Sequence, residues 1–231
     1  VLEASGHATH APVLPFHDRP ASLPPPAELG RLSITAYVDF LVAEAGKLEA
    51  PPVILGHSMG GLLAQLVAAR VAHAGLVLLS PAAAANAQAF STDPLRTLKA
   101  VVTKWGWWES PTLCDADGAR WGIFNGVAQA ETEHEIAALV WDSGRVLAEI
   151  ALPPLFGTVT RVEYGRLAQP ALVVVGSDDR TTPPGIARAT ARQLTGRVDY
   201  HELPGVPHWL FWGDVEQRLA ALVVDWLNSL R

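Results

Sequence analysis

Cysteine, methionine and lysine are nearly missing from this chain of 231 residues: it has one Cys, one Met and lysine only at Lys47, Lys99 and Lys104. A single cysteine, Cys114, excludes an intrachain disulfide and reads as a small apolar filler, which fits a reducing, cytoplasmic compartment. Scarce lysine, scattered arginine and a formal net charge of −6 leave no basic footprint for nucleic acid. No uninterrupted apolar run reaches the roughly 18 residues of a membrane span; the nearest, Ala74 to Ala85, is interrupted by Ser80-Pro81. Internal repeats and low-complexity linkers are also lacking, and Pro24-Pro25-Pro26 is a stiff local loop. What remains, 49% hydrophobic and 17% charged, is the composition of a globular protein with a large core. The length suits one large domain or a domain with an insertion.

The run Val53-Ile54-Leu55-Gly56-His57-Ser58-Met59-Gly60-Gly61 carries the most information. A β-rich stretch enters Gly-x-Ser-x-Gly and a helix of small residues, Leu62 to Val71, follows. That pattern is a strand, a sharp turn and a helix with Ser58 at the apex. The turn strains the serine backbone and calls for small flanking residues, Gly56 and Gly60. It lifts the Ser58 hydroxyl clear of the sheet and turns the Met59 N–H toward an oxyanion. A tight glycine turn without chemistry is the bland alternative.

Along the chain, His7 to Leu14 reads as a short strand and Phe16 to Leu29 as a proline-rich loop. Ser33 caps a helix over Ile34 to Leu48, with Ile34, Tyr37, Val38, Leu41, Ala45 and Leu48 at helical spacing. Val53 to Leu55 is apolar throughout, as in a strand covered on both faces. Leu76 to Leu79 and Ala171 to Val175 are further buried strands, and the more alternating Val198 to Leu203 lies nearer the sheet edge. Pro184 to Leu194 and Asp214 to Leu230 are helices, the second capped by Asp214. Strands alternating with helices imply an open, mostly parallel α/β sheet flanked by helices. Residues 82–166 break the rhythm. They are helical in pattern and carry Trp105, Trp107, Trp108, Trp121 and Trp141, so they form an inserted cap over a core of residues 1–81 and 167–231. Most of these tryptophans hold the cap together, while one or two line an apolar pocket.

A serine hydroxyl needs a base, and the base needs a carboxylate to fix its tautomer. In open α/β sheets chemistry gathers at the C-terminal ends of strands. After Val173-Val174-Val175 come Asp178 and Asp179, both candidates, whereas Ser80-Pro81-Ala82 offers no acid. His208 follows the last strand, just ahead of the final helix. His57 packs beside the turn rather than acting as base, and the remaining histidines have no matching partner pattern.

These residues give the chain a resemblance to the α/β-hydrolase fold family. Gly56-His57-Ser58-Met59-Gly60-Gly61 is similar to its nucleophile elbow. Gly176-x-x-Asp179-x-x-x-Pro183 resembles its acid loop and favours Asp179 over Asp178, and Gly205-x-x-His208 resembles its histidine loop. Ala11-Pro12-Val13-Leu14-Pro15-Phe16-His17-Asp18 resembles a loop of type Pro-Asp-Leu-Pro-Gly-His-Gly, with departures at Val13, Phe16 and Asp18. The resemblance implies a catalytic triad of Ser58, Asp179 and His208 with Met59 supplying an oxyanion donor. The family's second donor comes from an early His-Gly-type loop, and Ser5-Gly6-His7 stands in the wrong place for it. The expectation is therefore that the chain starts part-way through a longer one and that an adjacent segment supplies a strand beside the elbow strand; a signal peptide upstream is compatible with this.

The implied reaction is acyl transfer to water without metal or cofactor. There is no His-Glu-x-x-His and no cysteine pair, Asp115-Ala116-Asp117-Gly118 lacks the rest of a calcium loop, and no dinucleotide or phosphate loop appears. Relatives that open halides and epoxides carry aspartate at the elbow, unlike Ser58. Carboxylic esters of small to medium apolar acyl groups are the first expectation, making the chain an esterase or small lipase. Lactones, acyl-homoserine lactones included, come second. Carbon–carbon bond hydrolysis is third, since some such relatives share a Ser-Met-Gly-Gly elbow. A receptor of the same fold that binds without turnover is the reading from another class. His57, Trp105, Trp108, Trp141 and Trp209 are candidates to line the substrate pocket. The expected partner is one small molecule, and oligomeric state is not readable.

Overall fold

The computed structural model describes residues 1–20 and 22–230. After short 3₁₀ turns at Glu3–Ser5 and Ala27–Arg31 come helix α1 (Ile34–Ala45), strand β1 (Val53–His57), α2 (Met59–Ala68) and β2 (Gly75–Leu79). Residues 82–166 follow with short pieces: α3 (Asp93–Thr97), α4 (Lys99–Val102), β3 (Pro111–Thr112), α5 (Ala116–Gly118), α6 (Gln129–Ala137), β4 (Asp142–Ser143), α7 (Gly144–Ala151) and α8 (Pro153–Phe156). The chain closes with β5 (Ala171–Gly176), α9 (Pro184–Gln193), β6 (Val198–Leu203) and α10 (Gly213–Asn228). The main sheet is four-stranded and parallel in the order β1-β2-β5-β6, and β3 and β4 form a separate antiparallel pair. Among the described residues, no helix is long and apolar enough to cross a membrane.

The alternation of side chains along a strand explains the two-sided core. In β2, Leu76 and Leu78 face one cluster with Tyr37, Leu62 and Leu66, while Val77 and Leu79 face another with Val215, Leu219 and Val223. In β5, Val173 and Val175 join the first cluster and Leu172 and Val174 the second. Both strands are buried throughout because α1, α2 and α9 cover one face and α10 the other. Helix α10 buries Val215, Leu219, Val223 and Trp226, one stripe at helical spacing.

Residues 82–166 are anchored to the core through α1. Ser33 Oγ accepts from the Ala36 N–H at 3.3 Å, as expected of a cap. A second acceptor arrives from α7: Glu149, 1% exposed, takes the Ile34 N–H at 2.8 Å and pairs with Arg145 Nε at 2.8 Å. The Ile34 N–H is one of the helix-start donors that have no intrahelical acceptor, and Glu149 supplies one.

Several sequence expectations need correction. Residues 7–14 form no strand: Pro12 lacks an N–H, and Val13 is 58% exposed. The loop 16–29 is irregular as expected up to its terminal 3₁₀ turn, with Ala21 outside the described residues. Strand β1 is not covered on both faces. It pairs only with β2 among the described residues, forms the sheet margin and leaves Leu55 44% exposed. The elbow helix starts three residues earlier than expected, because a helix can begin directly at the turn. The N-cap of α10 is Trp212 without a side-chain bond; Asp214 lies in the first turn, where its charge still suits the helix dipole.

One ion pair ties the loop before α1 to β4. His17 Nε2 lies 3.4 Å from Asp142 Oδ1, and the buried Tyr37 hydroxyl donates to the same oxygen at 2.9 Å. Burial opposes the His17 charge, but the Asp142 carboxylate outweighs it and raises the His17 pKa. A raised folded-state pKa stabilises the fold below the ordinary value of 6.5, and that contribution fades as pH rises through the folded value. Thermal unfolding from pH 5 to 9 should show His17→Asn less stable than wild type by up to about 1 kcal/mol at acid pH. The gap should close at alkaline pH; a gap that widens with pH would contradict the pairing.

Candidate active site

Parallel strands end together, so loops from β1, β2, β5 and β6 meet at one edge of the sheet. Ser58 follows β1 with φ 54 and ψ −123, a conformation costing about 1–3 kcal/mol for a residue with a Cβ. Backbone bonds hold it there. Its N–H donates to the Leu79 carbonyl at 2.9 Å, and its own carbonyl accepts from Gly61 at 2.9 Å and Ala82 at 2.8 Å. Gly56 is required sterically, since a Cβ there would lie 2.0 Å from the Gly60 carbonyl oxygen. Gly60 is not: a Cβ there meets nothing within 4 Å. The second close approach belongs to Gly61, whose Cβ would sit 2.9 Å from Pro81. The need for a small residue therefore falls at 56 and 61 rather than at 56 and 60.

Asp179, 3% exposed, follows β5. Its Oδ1 accepts the N–H groups of Thr181 at 2.9 Å and Thr182 at 2.7 Å. Its Oδ2 lies 2.8 Å from His208 Nδ1. His208, 2% exposed, presents Nε2 to Ser58 Oγ at 2.9 Å. A carboxylate only accepts, so Nδ1 carries the proton and Nε2 is left to accept from the serine hydroxyl. Asp178 is exposed and bonds its neighbour Ser177 instead. Burial pushes the Asp179 carboxyl up; the His208 charge and hydrogen bond, with the Thr182 N–H, outweigh it and hold the pKa below the ordinary value. Asp179 is thus an anion at neutral pH. The Met59 N–H is the first of α2, among the helix-start donors that have no intrahelical acceptor.

The pocket candidates separate. His57 Nε2 donates to the His208 carbonyl at 3.0 Å, and its ring lies 4.7 Å from the His208 ring. Burial, then the His208 charge, push its pKa down to about 3, so it is neutral and holds the histidine loop. Trp209 packs on His57, Phe211 and Phe124 beside that loop. Trp105 and Trp141 instead line a separate cavity of about 160 Å³ with Val101, Trp107 and Leu113, and none of Ser58, Met59 and His208 lines it. Trp108 packs edge-on against Trp105 and Trp107 in the same region, and Trp105 is 93% exposed. Among the described residues, no cluster of three or more His, Cys, Asp or Glu is placed to hold a metal.

Thr182 went unnoticed in the sequence. Its hydroxyl donates to the Ser80 carbonyl at 2.8 Å while its oxygen lies 3.0 Å from Asp179 Oδ2 and 3.1 Å from His208 Nδ1. A threonine before a proline carries no signal of that role. Ser80, after β2, is itself at φ 42 and fully buried.

The sequence profile of the Alpha/beta hydrolase family matches residues 1–222. Among solved structures, the chain is similar to the pyrethroid hydrolase PytH at 21% identity and TM-score 0.65, covering 98% of this chain and 88% of that one. It is similar to a soluble variant of monoglyceride lipase from Saccharomyces cerevisiae at 14% identity and TM-score 0.64, covering 89% and 73%. A monoacylglycerol lipase from Paleococcus ferrophilus gives 20% identity and TM-score 0.60, covering 87% and 77%. At these identities the likeness is one of fold.

The glycine geometry separates two substitutions of equal size. Gly56→Ala should lower stability by about 1–3 kcal/mol or more, since backbone must move. Gly60→Ala should unfold at or slightly above the wild-type temperature, because alanine favours the helix and meets open space. Equal losses at both positions would contradict the elbow packing.

Proposed function

The chain belongs to the alpha/beta hydrolase family, and from that premise we propose that it is a serine hydrolase cleaving carboxylic esters of small to medium apolar acyl groups through an acyl-enzyme. The observation that carries this reading is the continuous line of hydrogen bonds from Ser58 Oγ through His208 to Asp179, 2.9 and 2.8 Å long.

In this mechanism Ser58 Oγ attacks the carbonyl carbon and its proton passes to His208 Nε2. The carbonyl π electrons move onto oxygen, and the Met59 N–H holds the oxyanion. Collapse breaks the bond to the leaving oxygen, which takes the proton from His208. Water then enters by the same route, giving its proton to His208, and the second collapse frees the acid and returns the proton to Ser58. Asp179 stays ionised and stabilises the imidazolium. Residues 82–166 leave the sheet at the C-terminal end of β2, on the side where Ser58 stands, which supports reading them as a cap over that edge. The rings of Trp209 and Phe211, which pack on each other and on His57, suit an apolar acyl group.

Hydrolysis of p-nitrophenyl esters of increasing acyl length tests the reading. Ser58→Ala and His208→Ala should each lower kcat by about 10⁵–10⁶-fold, and the double variant no further, because groups acting as a unit are not additive. Turnover that survives Ser58→Ala would overturn the proposal. Turnover limited to lactones under the same control would keep the serine chemistry and change the substrate class.

A further inference from the structure

Residues 121–125 touch both loops of the candidate dyad, and no other part of residues 82–166 is hydrogen-bonded to either loop among the described residues. They begin within a π-helical turn, Ala119–Ile123, a local irregularity frequent at functional sites. On the acid side, the Arg180 guanidinium stands 3.9 Å from the centroid of the Trp121 ring, and Arg180 Nη1 donates to the Trp121 carbonyl at 3.3 Å. The Arg96 guanidinium stands 3.4 Å from the same centroid. Two cations therefore lie against the one indole. Neither arginine forms an ion pair with a carboxylate among the described residues, and both stack on the indole. Asn125 Nδ2 adds a bond to the Asp178 carbonyl at 2.9 Å. On the histidine side, the Trp209 N–H donates to the Ile123 carbonyl at 3.0 Å, and the Phe124 ring packs 5.4 Å from the Trp209 ring. The contacts therefore fall on Asp178 and Arg180, which flank Asp179, and on Trp209, which follows His208.

We propose that residues 121–125 form a clamp that sets the distance between Asp179 and His208, with Trp121 and Asn125 as positioning residues for the reaction. The proposal rests on the serine-hydrolase reading above and extends it. The dyad hydrogen bond spans two loops that leave different strands, and the Trp209 N–H and the flanks of Asp179 are bound to one short turn. Ser58 and Met59 make no hydrogen bond to that turn among the described residues, so loosening it leaves them in place and relaxes the orientation of the base. The expected signature is therefore a fall in kcat with little change in KM.

Two readouts on the full chain test this. With the ester best cleaved by wild type, Trp121→Ala should lower kcat about 10- to 100-fold with KM within about two-fold, as displacement by an ångström can cost 10²-fold. Trp121→Phe, which restores an aromatic face, should recover kcat to within about three-fold of wild type. In an Asp179→Asn background the same Trp121→Ala change should cost less than about two-fold, because the clamp acts through Asp179. A merely structural role would give equal losses in both backgrounds and would overturn the proposal. The second readout needs no turnover: the downfield proton resonance of His208 Nδ1, identified by its loss in His208→Gln, should shift or broaden in Trp121→Ala. An unchanged resonance in the folded variant, or none in wild type, would overturn the clamp. If Trp121→Ala does not fold, Asn125→Ala and Arg180→Gln carry both tests. Activity that persists in Ser58→Ala defeats the serine reading, and the resonance still decides the clamp.

Discussion

The backbone ladder at the C-terminal edge of the sheet is the constraint on which the site depends. Each strand of the main sheet but β6 passes its pairing one residue beyond its end. The Ser58 N–H bonds the Leu79 carbonyl at 2.9 Å, the Ser80 N–H bonds the Val174 carbonyl at 2.7 Å, and the Ser177 N–H bonds the Leu203 carbonyl at 2.9 Å. These bonds fix where the loops after β1, β2 and β5 start before any side chain is considered. They also hold Ser58 and Ser80, two non-glycine residues at positive φ, in conformations neither would keep alone. Strain of about 1–3 kcal/mol per residue is offset by backbone bonds worth about 0.5–1.5 kcal/mol each, so the geometry needs several of them together.

That dependence explains what the sequence could and could not reveal. Strands β2 and β5 are legible because both their faces are buried, leaving continuous apolar runs with small or glycine ends. Ser58, Asp179 and His208 are legible as candidates because each follows a strand whose register a parallel sheet dictates. Residues 7–14 mislead because Pro12 removes a ladder donor and Val13 stays exposed, neither of which the short run declares as a loop. Asp214 misleads because an acid near a helix start suits both the cap and the first turn. The burial of Glu149 against α1, 115 residues away, has no local signature at all.

The tryptophans show the same limit in residues 82–166. Their helices run from three to nine residues, too short for a periodic stripe to declare a face. Trp105, Trp108 and Trp141 look like pocket residues by type, yet they gather away from Ser58. Trp121, placed among the tryptophans expected to hold the cap together, stacks against the residue following Asp179. A side chain's partner there is chosen by tertiary contact rather than by spacing, so composition predicts that aromatic residues will pack without saying on what.

His57 brings the ladder and the side chains together. It precedes Ser58 in the strand, and the β1–β2 register pairs it with Leu79. Its ring reaches across to the carbonyl of His208. Ser58 and its proposed base are thus joined twice, once through the Ser58 hydroxyl and once through the neighbouring backbone. The second link requires a neutral donor that cannot be protonated into a cation facing an imidazolium. Burial supplies that condition by pushing the His57 pKa down to about 3. A charged lysine or arginine in its place would repel the imidazolium of the proposed mechanism, and an aliphatic residue would leave the His208 carbonyl unpaired. Histidine at this position is therefore explained by the need to hold the proposed base without competing for its proton.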